Sequence, residues 1–163
     1  MLVAPMTIPA ASQPSFDEFY VGTWNVAARW AAALTGDAAT GEEVAQTAFL
    51  AVAGRYRDLE NPTAYLRQAI VNEARMTHRS DTRRTAREQR TTDPTSAPSE
   101  LDHEMLGVLA ALPYAQRAAV VLRYWADWTD SEIAEALACR PSTVRSHLRR
   151  GLGRLRTELE QAR

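Results

Sequence analysis

Apolar and small side chains recur at steps of three and four through Phe16, Phe19, Tyr20, Thr23, Trp24, Ala27, Trp30, Ala31 and Leu34. That spacing predicts an amphipathic helix, which Gly36 ends. Thr40-Gly41-Glu42-Glu43 reads as a capping box, the Thr40 hydroxyl and Glu43 carboxylate satisfying each other's free amides, and opens a second helix to about Arg57. Asn61-Pro62 supplies a cap and a first-turn proline for a third helix that runs to about Arg84. The periodicity then stops. From Thr85 to Glu100 the chain is polar, with Pro94 and Pro98, and reads as a flexible linker. Four shorter patterns follow: Leu101 to Ala111, Pro113 to Ala126, Thr129 to Leu137 and Pro141 to about Gln161. No segment alternates as a strand would. The pattern predicts an all-α fold of two small helical modules, 16–84 and 101–163, behind a disordered tail over 1–15. Each module is short enough to bury only a modest core.

Composition narrows the chemistry. All 19 basic residues are arginine, which removes phosphate-cradling lysines and Schiff-base enzymes. Cys139 is the single cysteine, so neither an intramolecular disulfide nor a multi-cysteine zinc site can form. It stands between two helices and reads as a small buried filler. His78, His103 and His147 are scattered, and no carboxylate pair sits in a recognisable cleft motif. The expectation is no catalytic residue, no metal and no cofactor. No apolar run approaches the roughly 20 residues of a membrane span, and the N-terminus lacks a basic start. Both point to a cytoplasmic protein without membrane insertion.

The formal net charge of −1 hides a strong pattern. Residues 1–60 and 93–139 are acidic, whereas 61–92 and 140–163 each carry seven arginines against few acids. Two separate cationic segments are the footprint of a polyanion partner.

The second cationic segment has its own architecture. Thr129-Asp130-Ser131-Glu132 is a capping box before a short helix; Ala138-Cys139-Arg140 breaks it, and Pro141 restarts the chain. A short helix, a tight turn and a longer helix make a helix-turn-helix. At about 100° per residue, Val144, Leu148, Gly151, Leu152 and Leu155 share one side of the last helix. Ser142, Thr143, Arg145, Ser146, Arg149 and Arg150 make the DNA-reading set. Arginine grips guanine edges or phosphates, and short hydroxyl residues allow close approach. His147 at the edge of this set is a phosphate or solvent contact. On the third helix Gln68, Asn72, Arg75, Arg79 and Arg83 form a second polar stripe, with Tyr65 at its start where a ring could stack on a base. The second helix carries Glu43, Gln46, Thr47 and Leu50 along one side, a face better suited to a protein than to DNA.

Four stretches in order carry a family resemblance: TGEEVAQTAFLAV (40–52), NPTAYLRQAIVNEARMTHR (61–79), LPYAQRAAVVLRYW (112–125) and TDSEIAEALACRPSTVRSHLRRGLGRLR (129–156). Together they resemble a bacterial extracytoplasmic-function (group IV) sigma factor. The resemblance implies that Glu43, Gln46, Thr47 and Leu50 dock on the coiled coil of the β′ subunit of core RNA polymerase, in an assembly that includes the β subunit. It further implies that the Tyr65–Arg83 helix engages the −10 element of promoter DNA, that the loop Asp58–Asn61 captures a flipped base, and that the helix from Pro141 enters the −35 major groove. An anti-sigma factor is a further partner the family implies. Three positions depart from the family pattern: Thr47 replaces a usual carboxylate, Ala53 a frequent tryptophan, and Ala138 the usual turn glycine. The last costs about 1 kcal/mol if that residue must be left-handed.

Two promoter boxes about 20 base pairs apart lie roughly 65 Å from one another at 3.4 Å per pair. The linker reaches about 55 Å when extended, and the modules' widths cover the rest. Low DNA affinity in the free protein follows from its acidic segments. Two other readings stand beside this one: a helix-turn-helix regulator of the response-regulator output type, and a polymerase-binding helical adaptor without promoter selectivity. The first leaves residues 40–83 unexplained.

Overall fold

The computed structural model describes residues 13–85 and 103–161. The elements, in order, are α1 (Phe16–Thr35), α2 (Ala38–Ala53), a 3-10 turn (Tyr56–Asp58), α3 (Pro62–Thr85), α4 (His103–Ala110), α5 (Tyr114–Trp125), α6 (Asp130–Ala136) and α7 (Pro141–Gln161). Among the described residues there is no strand, as the all-α expectation required.

Local chemistry sets the boundaries, with two shifts from the sequence reading. Ser15, assigned above to the tail, caps α1: its hydroxyl accepts from the Glu18 amide at 3.2 Å, and the Glu18 carboxylate accepts from the Ser15 amide at 2.8 Å. Gln13 and Pro14 are tied as well, Gln13 Nε2 donating to the Tyr56 carbonyl and the Tyr56 hydroxyl to the Pro14 carbonyl. Residues 1–12, the rest of the expected tail, lie outside the described residues.

The second shift concerns α2, which begins at Ala38 under the cap of Asp37 rather than at a Thr40 box. The Asp37 carboxylate accepts from the Thr40 amide at 2.8 Å and from its hydroxyl at 2.6 Å. The Thr40 hydroxyl is therefore a donor to Asp37, and a carboxylate outcompetes it as the cap. The helix also stops at Ala53 instead of Arg57, the chain tightening into the 3-10 turn. Asn61 caps α3 as expected, its Oδ1 accepting from the Ala64 amide at 3.0 Å. Thr85 ends α3; the rest of the expected linker, with Leu101 and Asp102, lies outside the described residues.

Helices α1, α2 and α3 form the N-terminal half. At their tightest crossing, a Cβ on Gly41 would lie less than 3.0 Å from the backbone nitrogen and Cα of Ala32, so the α1–α2 approach requires glycine. Phe19 anchors the bottom of this half, 5.4 Å from the Tyr56 ring and 6.1 Å from Phe49. In the C-terminal half, α4 to α7 close around Leu122, Ile133 and Val144, each fully buried. The halves do not stand apart. Helix α1 packs on α4 and α5, and one apolar cluster runs from Leu34, Val44 and Ile70 through Leu109, Ala118 and Val121 to Ile133.

Candidate nucleic-acid interface

The helix-turn-helix is built by two locks. Thr129 caps α6 in the expected box: its hydroxyl accepts from the Glu132 amide at 3.3 Å, and the Glu132 carboxylate accepts from the Thr129 amide at 2.7 Å. The amide bond, and a 2.8 Å bond that the Thr129 hydroxyl donates to the same carboxylate, hold the Glu132 carboxyl below its ordinary pKa. Ala138 then turns the chain with φ of 52°, the left-handed conformation its lack of a glycine makes costly. The Cys139 amide donates back to the Ala134 carbonyl at 2.9 Å, and the Thr143 and Val144 amides both donate to the Arg140 carbonyl at the start of α7. Cys139 is half-buried against the core, and that burial raises its thiol pKa, in keeping with a filler.

Val144 plugs α7 onto α6, and the rest of the helix takes its orientation from there. Ser142, Arg145, Arg149 and Arg150 are exposed; Thr143 and Ser146 are half-buried. Arg145 remains 63% exposed while pairing with Asp130 at 3.4 Å, and the same Asp130 carboxylate bonds Arg123. Asp130 thus fixes the angle of Arg145 without withdrawing it from the surface. His147 differs from its expectation. Its ring is half-buried, Nδ1 is enclosed without a hydrogen-bond partner among the described residues, and burial followed by Arg150 pulls its pKa down.

The stripe on α3 is only partly outward. Gln68 and Asn72 are exposed and joined by a 3.2 Å side-chain bond; Arg79 and Arg83 are exposed further along. Tyr65, half-buried, has the Arg55 guanidinium 5.7 Å above its ring. Arg75 does not join the outward set. It is half-buried, and Nη1 donates to the Ala136 carbonyl of α6 at 3.0 Å, a contact that only the packed halves create.

The face of α2 expected to meet a protein is open. Glu43, Gln46, Thr47 and Leu50 are all exposed, with Leu50 at 74%, while Val44, Ala45, Ala48, Phe49 and Val52 line the opposite, buried side. The Thr47 hydroxyl donates to the Glu43 carbonyl at 3.0 Å, so its hydrogen is committed to its own helix and its oxygen remains an acceptor.

One residue that sequence reasoning missed is Arg117. Buried in α5, it donates to carbonyls of both halves. The available signal was an arginine inside the apolar run AQRAAVVL. Among the described residues no group of histidine, cysteine and acidic side chains could hold a metal ion, and no helix is long and apolar enough to cross a membrane.

A helix-turn-helix bearing outward arginines, packed on a second helical unit with its own basic helix, defines a transcription protein of the helix-turn-helix class. The sigma-70 region 4 family matches residues 102–155, which include α4 through the outward arginines of α7. The RNA polymerase sigma-E factor of Streptomyces coelicolor is 31% identical over 88% of this chain and 85% of its own. The sigma-E factor of Streptomyces avermitilis is 30% identical over 89% and 85%, and the ECF sigma factor SigL of Mycobacterium tuberculosis 30% over 90% and 87%. The fold is shared with the sigma factor RpoE of Bartonella quintana, solved in complex with the anti-sigma factor NepR; the TM-score is 0.69 at 19% identity, covering 91% of this chain and 98% of that one. The chain belongs to the extracytoplasmic-function RNA polymerase sigma factors, which direct transcription initiation.

Proposed function

We propose that α3 and α7 are the two DNA grips of this sigma factor, α7 reading the −35 major groove and α3 the −10 element, with α2 as the seat on core polymerase. The observation that carries this is the outward arginine face of α7, held by Val144 and angled by the Asp130–Arg145 pair. Arg149 and Arg150 reach base edges or phosphates, and Ser142 lets the helix come close to the groove floor. On α3, Gln68, Asn72, Arg79 and Arg83 track one strand; Tyr65 beside Arg55 offers a ring for stacking and a cation for phosphate. The loop Asp58–Asn61, exposed except for the half-buried Leu59, receives a base flipped out at a cost of a few kcal/mol of unstacking, recovered in its new contacts.

Leu50, a large apolar side chain left in solvent between Glu43, Gln46 and Thr47, supplies the buried centre of a small interface with β′. The protein performs no catalysis itself and works in the cytoplasm, where polymerase and promoter are. An anti-sigma factor is a further partner, on the analogy of the Bartonella protein and its NepR complex.

Run-off transcription with purified core polymerase tests the reading. The wild-type chain should start transcripts at one defined position. Arg149→Ala should cut transcription from a −35-dependent promoter about 10-fold or more, the 1–3 kcal/mol of one base contact, while core binding stays unchanged. Leu50→Asp should abolish core binding. Loss of core binding in Arg149→Ala would overturn the assignment of α7.

A further inference from the structure

Between α1, α3 and the end of α5 lies a cavity of about 180 Å³, walled by Val26, Ala27 and Trp30 of α1, Leu66 and Ile70 of α3, and Trp125. It shares no residue with the DNA-facing sets of α3 and α7 or with the outer face of α2. A cavity of about 150 Å³ accepts benzene, so this one has room for a single ring and not for a fused or nucleotide-sized ligand. Two indoles in the wall suit an aromatic ring better than a flexible chain, which would lose rotamer freedom on entry. Trp30 is itself braced, meeting Trp128 edge to face at 6.5 Å.

The entrance is open because α1 carries a glycine there. Gly22 lines the cavity in the interior of α1, where glycine is the least favourable residue after proline. No close packing explains it: a Cβ on Gly22 would meet nothing within 4 Å, unlike one on Gly41. What the missing side chain provides is a clear mouth.

The polar groups define what can enter. No acidic residue lines the cavity, and its one charge is Arg67, an exposed side chain with no ion pair among the described residues. A neighbouring cleft that Arg67 also borders holds Glu132 and Glu135, but neither pairs with it, and the Glu132 carboxylate is engaged by Thr129. The Thr23 hydroxyl hydrogen is committed to the Phe19 carbonyl at 2.6 Å. Trp30 is only 8% exposed, and its enclosed indole N–H has no hydrogen-bond partner among the described residues. A buried donor without a partner is rare in a folded protein. A ring-sized apolar space with an unpaired cation beside it and an unused donor in its wall is complementary to an organic anion.

We infer that this cavity binds a small aromatic carboxylate, its ring among Trp30, Leu66 and Trp125 and its carboxylate on the Arg67 guanidinium. Such a site gives the chain a direct small-molecule input, and it stands whether or not α3 and α7 meet DNA as read above.

Phenylacetate is the probe, titrated into the isotope-labelled full chain while the indole N–H resonances of its four tryptophans are followed by NMR. The Trp30 and Trp125 signals should shift and saturate, and that of Trp24, which does not line the cavity, should stay. Acetate should move none of them. Benzyl alcohol, the ring without the charge, should bind about 5-fold more weakly, as for the loss of one exposed ion pair. Arg67→Gln should bring phenylacetate down to the affinity of benzyl alcohol and leave benzyl alcohol unchanged. Gly22→Leu should fill the mouth and abolish both sets of shifts, while its better helix propensity raises the melting temperature by a few degrees. No saturation by about 5 mM phenylacetate, equal shifts at all four indoles, or acetate acting as phenylacetate does would overturn the site. Hexanoate binding more tightly than phenylacetate would overturn the aromatic class. Undiminished phenylacetate binding in Arg67→Gln, or in a folded Gly22→Leu, would put the ligand elsewhere and refute the assignment; should Gly22→Leu lose its fold, Arg67→Gln decides alone.

Discussion

Ala138 shows how one side chain sets the quality of the DNA-reading unit. Its φ of 52° costs an alanine about 1–2 kcal/mol, while glycine would adopt it freely at a cost of about 0.4–1 kcal/mol in unfolded-chain entropy. Ala138→Gly should therefore stabilise the protein by about 0.5–1 kcal/mol, read as a higher urea midpoint with an unchanged slope. Nearby, Thr129→Ala removes the hydroxyl that receives the Glu132 amide and should cost about 1 kcal/mol in the same assay. At this scale Arg117 and Arg75 were the residues the sequence could not place. An arginine in a helical pattern reads the same whether water or a distant carbonyl satisfies it, and their acceptors stand at Leu34, Thr35 and Ala136, far off in the chain.

At the scale of elements, the helices were legible because their starts and stops are local chemistry. Asn61-Pro62, the Thr129–Glu132 box, Gly36 and Pro141 each act within a few residues of themselves. The start of α2 was misplaced because two cap patterns stand three residues apart, and Asp37 won the Thr40 hydroxyl. The exposed face of α2 followed from periodicity, since its buried side is apolar; α7 followed it less closely, Thr143 and Ser146 being half-buried and Leu152, expected on the apolar side, exposed. What periodicity cannot convey is how closely helices approach. Gly41 is the sharpest case: in a free helix Gly→Ala gains about 1 kcal/mol, but here the new methyl would strike the Ala32 backbone. Overpacking typically costs about 1–3 kcal/mol, so Gly41→Ala should lower the melting temperature by several degrees even though it improves helix propensity.

For the whole molecule, the sequence suggested two modules on a tether, and the structure packs them on one apolar cluster. Surfaces of α1 and α5 that would be core in either arrangement carry no mark of which partner covers them. This junction should respond to pH. His78 is exposed but stacks on Tyr114, and its pKa is lowered from 6.5 first by the partial loss of solvent there and then by Arg117, with Asp81 on its own helix acting in the opposite direction. Burial also pushes the Tyr114 hydroxyl up to about 12, so that group stays neutral throughout. A histidine with a lowered pKa favours the packed form fully above its free value of 6.5 and opposes it progressively as pH falls below that value. The hydrodynamic radius should grow between about pH 7 and pH 5.5. His78→Phe keeps the ring stacking without a titrating group and should flatten that response.

The edge-to-face pair of Trp30 and Trp128 gives the molecule an intrinsic optical gauge. Parting of the halves would carry the Trp128 indole from an aromatic contact into water, moving its emission to longer wavelength. Stopped-flow mixing with core polymerase could then time the parting without any attached dye.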